Sequence, residues 1–317
     1  MTLKNLTFRR PLYDDRSFPF FAFLRFCHPL HPKFRQNLSC GSDVLSSLNC
    51  FSDLNYPFCI ISARFNILWT TTVEEIFDSE HPLNEAKDVY QNLTSKVATL
   101  CKEVIHVNEK DQVTFSKARN LLNIFLSKRN QLFSFLQKNI TSNGDFGWKS
   151  SFRLVAKRGH DDIEARQGHS VQKFGNEYQA AFTVPIETES TLKAQFAMFM
   201  SLHEYKPIYL RGSIYSGKSS CITELAFRLG RYLVHLNLNP SFSPADMVNS
   251  LQGLCRANCW AHYDGFDLLD YETLSILTTQ LQQINLAQSM NLKEFHLSGK
   301  KTQLGLQTGF FFISRSE

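Results

Sequence analysis

One run of residues in this chain reads Gly212-Ser213-Ile214-Tyr215-Ser216-Gly217-Lys218-Ser219, which matches the pattern G-x-x-x-x-G-K-[ST] at every fixed position. A glycine-rich turn at the start of a helix allows backbone N–H groups to converge on phosphate oxygens. In such a loop Lys218 carries positive charge to the outer phosphates, and Ser219 offers its hydroxyl to Mg²⁺. Together with the adjoining Ser220, the run predicts a phosphate-binding loop for a nucleotide such as ATP or GTP.

Short apolar runs alternate with helical patterns on both sides of this loop. Such alternation predicts a parallel sheet with helices on both faces, which binds ligands at the carboxyl ends of its strands. The expected strands are Ile208 to Leu210, Tyr232 to Leu238, Cys259 to Tyr263 and Phe310 to Ile313, and the expected helices are Lys218 to Arg231, Pro244 to Arg256 and Tyr271 to Leu286.

The sequence upstream of the sheet has a different character. Between Val73 and Ile140, apolar residues recur at steps of three and four, which predicts two amphipathic helices. The break between them is expected near residues 107–111, and residues 141–145 end the second helix with strong turn residues. Residues 1–60 are rich in Phe and Pro and show little periodicity.

Composition excludes several classes of function. With 317 residues, 43% of them hydrophobic, the chain is long enough for two globular domains. The net charge is +5, and the basic residues are scattered among acidic ones, which argues against a nucleic-acid partner. The eight cysteines lack the spacing of a zinc site and favour free thiols. The apolar residues 18–24 are far fewer than the ~20 that span a membrane, so no membrane insertion is expected.

A phosphate loop of this type works with an acidic residue at the tip of a neighbouring strand, where the carboxylate holds Mg²⁺. Asp264 follows an apolar run and is separated from the loop by one predicted strand and one predicted helix. The alternative is an aspartate that only caps the following turn. Because the loop lies upstream, we favour Asp264 as a metal ligand, together with Ser219.

Hydrolysis requires a second carboxylate, which polarises the attacking water. The residue after Asp264 is Gly265, which has no side chain and cannot act as a base unless Asp267 takes its place. Binding depends on the loop, Lys218 and Mg²⁺, so the residues predict nucleotide binding more firmly than turnover. Tyr215 is also unusual, because a bulky residue there must point out of the phosphate cradle and is strained if its φ is positive.

From about Ile61 to the end, further blocks of sequence occur in the order found in the dynein heavy chain family, which this chain resembles. Each block is similar to one family motif. The blocks are Trp69-Thr70 with Val73-Glu74 and Trp148 to Arg153 in the linker, Phe174-Gly175-Asn176-Glu177-Tyr178 before the loop, Tyr263-Asp264-Gly265-Phe266-Asp267 at the metal, Leu274-Ser275 with Gln282-Gln283-Ile284 in a helix, Phe295 to Leu304 in a hairpin, and Phe311-Phe312-Ile313-Ser314 before the sensor position.

The resemblance implies an α/β fold, namely the large subdomain of a P-loop AAA+ module with a truncated parallel sheet, preceded by an α-helical linker segment. The domains would be an unassigned segment 1–60, a helical region 61–160 resembling the end of the linker, and a truncated first AAA+ module 170–317. ATP and Mg²⁺ are the implied cofactors. The implied nucleotide contacts are Gly212, Ser213, Tyr215, Ser216, Gly217, Lys218, Ser219 and Ser220 at the phosphates, Val184, Pro185 and Ile186 at the adenine edge, and Ser219 with Asp264 at the metal.

The chain departs from the family pattern around the nucleotide. Gly265 replaces the catalytic glutamate, Tyr215 a glycine, Asp267 an asparagine and Ser316 the sensor asparagine. In the family this module is the principal site of ATP hydrolysis and moves the linker. The substitutions leave no certain catalytic residue, so hydrolysis is expected to be impaired. Because the chain ends before the last core strand, we expect a fragment or short form of a motor.

The family role is microtubule-based movement. It implies other dynein subunits as partners, microtubules through the parts missing here, and a place in the cytoplasm and cytoskeleton or in the cilium and axoneme. A non-catalytic AAA+ scaffold or regulatory subunit is an alternative that the missing carboxylate favours. A second alternative is a nucleoside kinase, since the loop also resembles that of the thymidine kinase family, although there it lies near the N-terminus.

Overall fold

A computed structural model of the protein describes residues 58–106, 112–156, 163–175, 177, 184–213 and 215–314. The predictions made for residues 1–57, the helix break at 107–111, Ile214 and Ser316 lie outside the described residues. The described residues form two compact units, one made of those up to Leu192 with Phe227–Gly230, and the other of those in Lys193–Ala226 and from Arg231 onward. We call them the helical unit and the α/β unit.

The helical unit is built on three long helices. They are α1 (Phe58–Phe77), α2 (Pro82–His106) and α3 (Gln112–Gln137), followed by the single turn α4 (Phe146–Lys149). The pair α2 and α3 is the helix pair that the periodicity predicts. Helix α1 was not predicted from periodicity, because it is apolar around most of its circumference and is buried along most of its length. Its side chains Phe65 and Trp69 form a core with Phe125 of α3 and Trp148 of α4. Each of these four residues is at most 1% exposed.

A small antiparallel sheet follows the helices in the same unit. Its strands are β1 (Arg153–Ala156), β2 (Ile163–Gln167) and β3 (Ser170–Lys173), paired in the order β1-β2-β3. Every second residue of β2 is buried, as in a strand with one face on a core. The sequence reasoning missed this sheet, because strands of four or five residues leave too few positions to show their alternation. The region 61–160, predicted to be helical, therefore contains strand β1.

The α/β unit contains a four-stranded, fully parallel sheet, as the sequence predicts. The strands are β4 (Ile208–Leu210), β5 (Leu233–Asn237), β6 (Trp260–Asp264) and β9 (Gly309–Ile313), in the order β4-β9-β6-β5. The connecting helices are α5 (Glu189–His203), α6 (Lys218–Arg228), α7 (Pro244–Ala257) and α8 (Tyr271–Ser289), and a hairpin of β7 (Glu294–Leu297) and β8 (Lys300–Gln303) precedes β9.

The strand order explains where a ligand site can form. From β4 the chain crosses to the far edge at β5 and then returns strand by strand through β6 to β9. The connection from β4 to β5 therefore runs across the sheet in the direction opposite to the connections from β5 to β6 and from β6 to β9, and the carboxyl ends of the strands at such a reversal border a crevice. The sheet packs one face on a core that includes Met247, Leu251, Tyr263 and Phe312. No helix of the described residues is long and apolar enough to cross a membrane.

Candidate functional site

The phosphate loop connects the end of β4 to the start of α6, where the sequence predicts it. The lysine of the pattern is the first residue of the helix, and Cys221 donates its N–H to the carbonyl of Gly217 at 2.9 Å to begin the helical ladder. Gly217 has φ +85°, which glycine adopts without steric cost. The unpaired N–H groups and positive dipole of a helix start make this end favourable for an anion.

Lys218 is held over its own loop. Its Nζ donates to the carbonyl oxygens of Gly212 and Ser213, each at 2.7 Å. The side chains of Ser213, Ser216, Ser219 and Ser220 are exposed around it. The ammonium group and these hydroxyls are the groups that contact phosphate and Mg²⁺ in loops of this pattern. The donor set therefore fits the triphosphate and metal that the sequence predicts.

Tyr215 has the positive φ at which, as the sequence analysis notes, a bulky residue is strained. Its φ is +63°, in the left-handed region, and its side chain is fully exposed to solvent. The side chain consequently points away from the cradle. For a residue with a Cβ atom this conformation costs roughly 1–2 kcal/mol.

Asp264 lies at the same edge of the sheet as the loop. In the strand register Leu210 is opposite Ile313, and Ile313 is opposite Asp264. These three residues form one row across β4, β9 and β6, so the loop and the carboxylate start from strand ends only about 10 Å apart, two strand spacings. This row therefore brings the loop and the carboxylate to one edge of the sheet.

Gly265 has a conformation that its sequence position did not predict. Its φ of +81° is left-handed, its N–H bonds to the carbonyl of Ile313 at 3.1 Å, and its own carbonyl accepts from Leu268 at 3.0 Å. A turn pinned at both groups disfavours any side chain at this position. Asp267 lies on the following single turn of 3₁₀ helix, with its side chain exposed.

The segment expected at the adenine edge, Val184 to Ile186, belongs to the helical unit. Val184 is buried, its N–H donates to Oδ1 of Asn120 at 3.1 Å, and its carbonyl accepts from Nδ2 of Asn123 at 3.2 Å. Both backbone polar groups of Val184 are therefore engaged by α3. Ile186 is 81% exposed and is the residue of this segment that is open to a ligand.

Glu187 anchors the other end of that segment. Its carboxylate pairs with Arg228, at the end of α6, and accepts a hydrogen bond from Ser127 of α3. Burial alone would raise the pKa of Glu187, but Arg228, Lys128 and the Ser127 hydrogen bond together lower it to about 2. The segment 184–187 is thus fixed at both ends by side chains that the sequence analysis did not single out.

Two histidines that the sequence analysis did not identify meet beside Asp264. His235 of β5 and His262 of β6 are directly opposite each other, with their Nδ1 atoms 2.8 Å apart. The only sequence signal was a histidine in each of two neighbouring apolar strands, and strand register is not visible in the sequence. Among the described residues there is no group of three or more His, Cys, Asp or Glu that could hold a metal ion.

Comparisons with known proteins show which sequences this chain is similar to. A family model described as the hydrolytic ATP-binding site of the dynein motor region matches residues 174–316. The chain is 25% identical to dynein heavy chain-like protein 1 of Plasmodium falciparum and 24% identical to the cytoplasmic dynein heavy chain of Paramecium tetraurelia, over 81% of its length in both cases. It is 23% identical to human dynein axonemal heavy chain 10, again over 81% of its length. The chain spans only 5 to 6% of the length of these relatives.

Proposed function

We propose that the α/β unit binds ATP with Mg²⁺ and hydrolyses it poorly, because residues 174–316 match the family model of the hydrolytic ATP-binding site of the dynein motor region. The observation that carries the proposal is the row Leu210, Ile313 and Asp264, which brings the phosphate loop and a carboxylate to one sheet edge. In this proposal the site is a binding site whose chemistry has been weakened.

The proposed contacts follow from the donor set. Lys218 leaves the carbonyls of Gly212 and Ser213 and neutralises the outer phosphates, while the N-terminus of α6 holds them through its backbone. Ser219 and Asp264 would hold Mg²⁺. When bound, Mg²⁺ neutralises charge that develops on the phosphate oxygens.

Hydrolysis is expected to be slow because nothing at position 265 can take a proton from water. The left-handed turn places a glycine where a base is needed, and a lost general base typically lowers the rate about 10²- to 10⁴-fold. Ligand affinity is unaffected by this loss, since the loop and Asp264 remain. Slow turnover with retained binding suits a module that senses nucleotide.

The wider role is proposed from the relatives. Their names place them among cytoplasmic and axonemal dynein heavy chains, so we propose a role in microtubule-based movement, with other dynein subunits as partners and the cytoskeleton, in cytoplasm or cilium, as the location. A second candidate is a non-catalytic scaffold or regulatory AAA+ subunit. The specific observation that favours this second candidate is Gly265, because its pinned turn removes the catalytic position.

The binding proposal is tested by titrating the protein with a fluorescent ATP analogue in the presence of Mg²⁺. Lys218→Ala should weaken binding by at least about tenfold, because the charge on the outer phosphates is lost. Lys206→Ala is the matched control, since Lys206 is an exposed lysine of the same unit that pairs with the nearby Glu204. Equal affinity in the wild type and Lys218→Ala, or no binding by either, would contradict the proposal. Binding without turnover would favour the scaffold.

A further inference from the structure

The row of strand ends at the phosphate loop continues onto a fourth strand. Asn237 is the last residue of β5 and is directly opposite Asp264 in the register of β5 and β6. Opposite residues of paired strands are about 4.8 Å apart, and their side chains project from the same face of the sheet. The amide of Asn237 therefore stands beside the carboxylate of Asp264, the expected metal ligand.

Alternation along both strands shows which face of the sheet this is. Tyr263 of β6 is buried in the core that includes residues of α7 and α8, and Val234 and Leu236 of β5 pack against the same core. Because successive side chains of a strand point to opposite faces, Asn237 and Asp264 project from the other face. Asn237 is exposed there, whereas Asp264 is half-buried. An exposed amide thus borders the expected cation site.

The backbone holds Asn237 in place, but its side chain is not engaged. Leu238 donates its N–H to the carbonyl of Asp264 at 2.8 Å, so the strand pairing extends past Asn237. Two residues on, the side chain of Asn239 accepts hydrogen bonds from the N–H and the hydroxyl of Ser241, at 3.1 and 2.7 Å, and so stabilises the turn. In the part of the chain that the structure describes, the amide of Asn237 makes no such bond and is available to a ligand.

We propose that Asn237 is a further binding residue of this site and sets how strongly nucleotide affinity depends on the cation, an inference that rests on the ATP and Mg²⁺ site proposed above. Its amide has an oxygen that favours a cation and N–H groups that favour phosphate, yet it carries no charge. A carboxylate at this position would attract Mg²⁺ more strongly but would also repel the triphosphate. The neutral amide avoids that repulsion.

The test compares the affinity for a fluorescent ATP analogue in Mg²⁺ with the affinity in EDTA, at low ionic strength. Asn237→Asp should raise the ratio of the two affinities at least about threefold, because the new carboxylate attracts the cation and repels the metal-free triphosphate. Asn237→Leu should lower the ratio at least about threefold, because the amide oxygen is lost. A residue with only a structural role would change both affinities together and leave their ratio unchanged.

Asn249 provides the matched control, because it is an exposed asparagine on α7, which packs on the opposite face of the sheet. Asn249→Asp and Asn249→Leu should keep the wild-type ratio. Circular dichroism checks that each variant folds, and the opposite signs expected for the two changes at position 237 make either one a test by itself.

The outcomes separate this inference from the proposed function. A wild-type ratio in both Asn237 variants, with binding still weakened in Lys218→Ala, would overturn the role of Asn237 and leave the nucleotide site standing. No binding of the analogue by the wild type would overturn both.

Discussion

At the scale of single residues, the phosphate loop carries a strain that one substitution can remove. Tyr215 has a left-handed φ of +63° and exposes its whole side chain, so it loses conformational energy without gaining a contact. Tyr215→Gly should raise the free energy of unfolding by about 0.5–1 kcal/mol, measured by urea denaturation. Tyr215→Ala keeps a Cβ atom at the same φ and should give no gain. Equal gains in both variants would show that the backbone is not the source of the strain.

Gly265 is the residue at which chemistry and conformation conflict. Gly265→Glu restores the carboxylate, but at φ +81° it costs roughly 1–2 kcal/mol of stability. We expect a rise in the ATPase rate that is smaller than the 10²- to 10⁴-fold typical of a general base.

The matched control for this prediction is Gly265→Gln, which has the same backbone strain and nearly the same shape but cannot accept a proton at neutral pH. It should show the same loss of stability with no rise in rate. A rate increase of equal size in the glutamine variant would mean that the added carboxylate is not acting as a base.

At the scale of elements, the segment 184–187 is fixed by contacts from two helices. Asn120 and Asn123 of α3 hold Val184, and Arg228 of α6 with Ser127 of α3 holds Glu187. Fixing the backbone of each residue in the segment costs conformational entropy, and these contacts offset that cost. The helices therefore define the conformation of the segment, which its own sequence does not.

Removing the charge at this anchor should destabilise the helical unit. Glu187→Gln removes the carboxylate charge that pairs with Arg228 in a largely buried position, so the free energy of unfolding should fall by about 2 kcal/mol. Glu164→Gln is the control, because Glu164 pairs with Arg166 on β2, where the arginine is 42% exposed, and should change stability little. Similar losses in both variants would contradict a special role for Glu187.

The same anchor gives a pH dependence whose sign is fixed. The folded pKa of Glu187 is about 2, below the ordinary value of 4.5, so the folded state holds the proton less tightly than the unfolded state. The contribution of the ionised Glu187 carboxylate to the free energy of unfolding is complete above about pH 4.5 and is lost as the pH falls towards about 2. Glu187→Gln should lose this part of the acid dependence, whereas Glu164→Gln should retain it.

At the scale of the whole molecule, each of the two units contains a hydrophobic core among its described residues. One is centred on the three long helices and includes Trp69 and Phe125, and the other packs on the parallel sheet and includes Met247 and Tyr263. A chain with two cores need not unfold in one step. Stability effects should therefore be followed with probes in the unit that carries the substitution, such as the tryptophans Trp69 and Trp148 for the helical unit and Trp260 for the α/β unit.

Much of the α/β unit could be predicted because its signals are local. Lys218 and its glycines, the capping residues Ser243 and Asp270, and the apolar run 310–313 each specify an element within a few residues. The parallel sheet and its strands are confirmed by the structure. Helix α1 and the strands β1 to β3 were missed, since the first lacks a polar face and the others are too short for their period to be visible.

The sequence by itself determined that this chain has a phosphate loop on a parallel α/β sheet, with Asp264 at a strand end and no base at position 265. Only the tertiary structure decided the strand register that aligns Leu210, Ile313 and Asp264, the left-handed turns at Tyr215 and Gly265, and the meeting of His235 with His262. The physical reason is the distance along the chain between the residues that interact. A motif acts through neighbours along the chain, whereas register and backbone torsion depend on strands that the sequence separates widely.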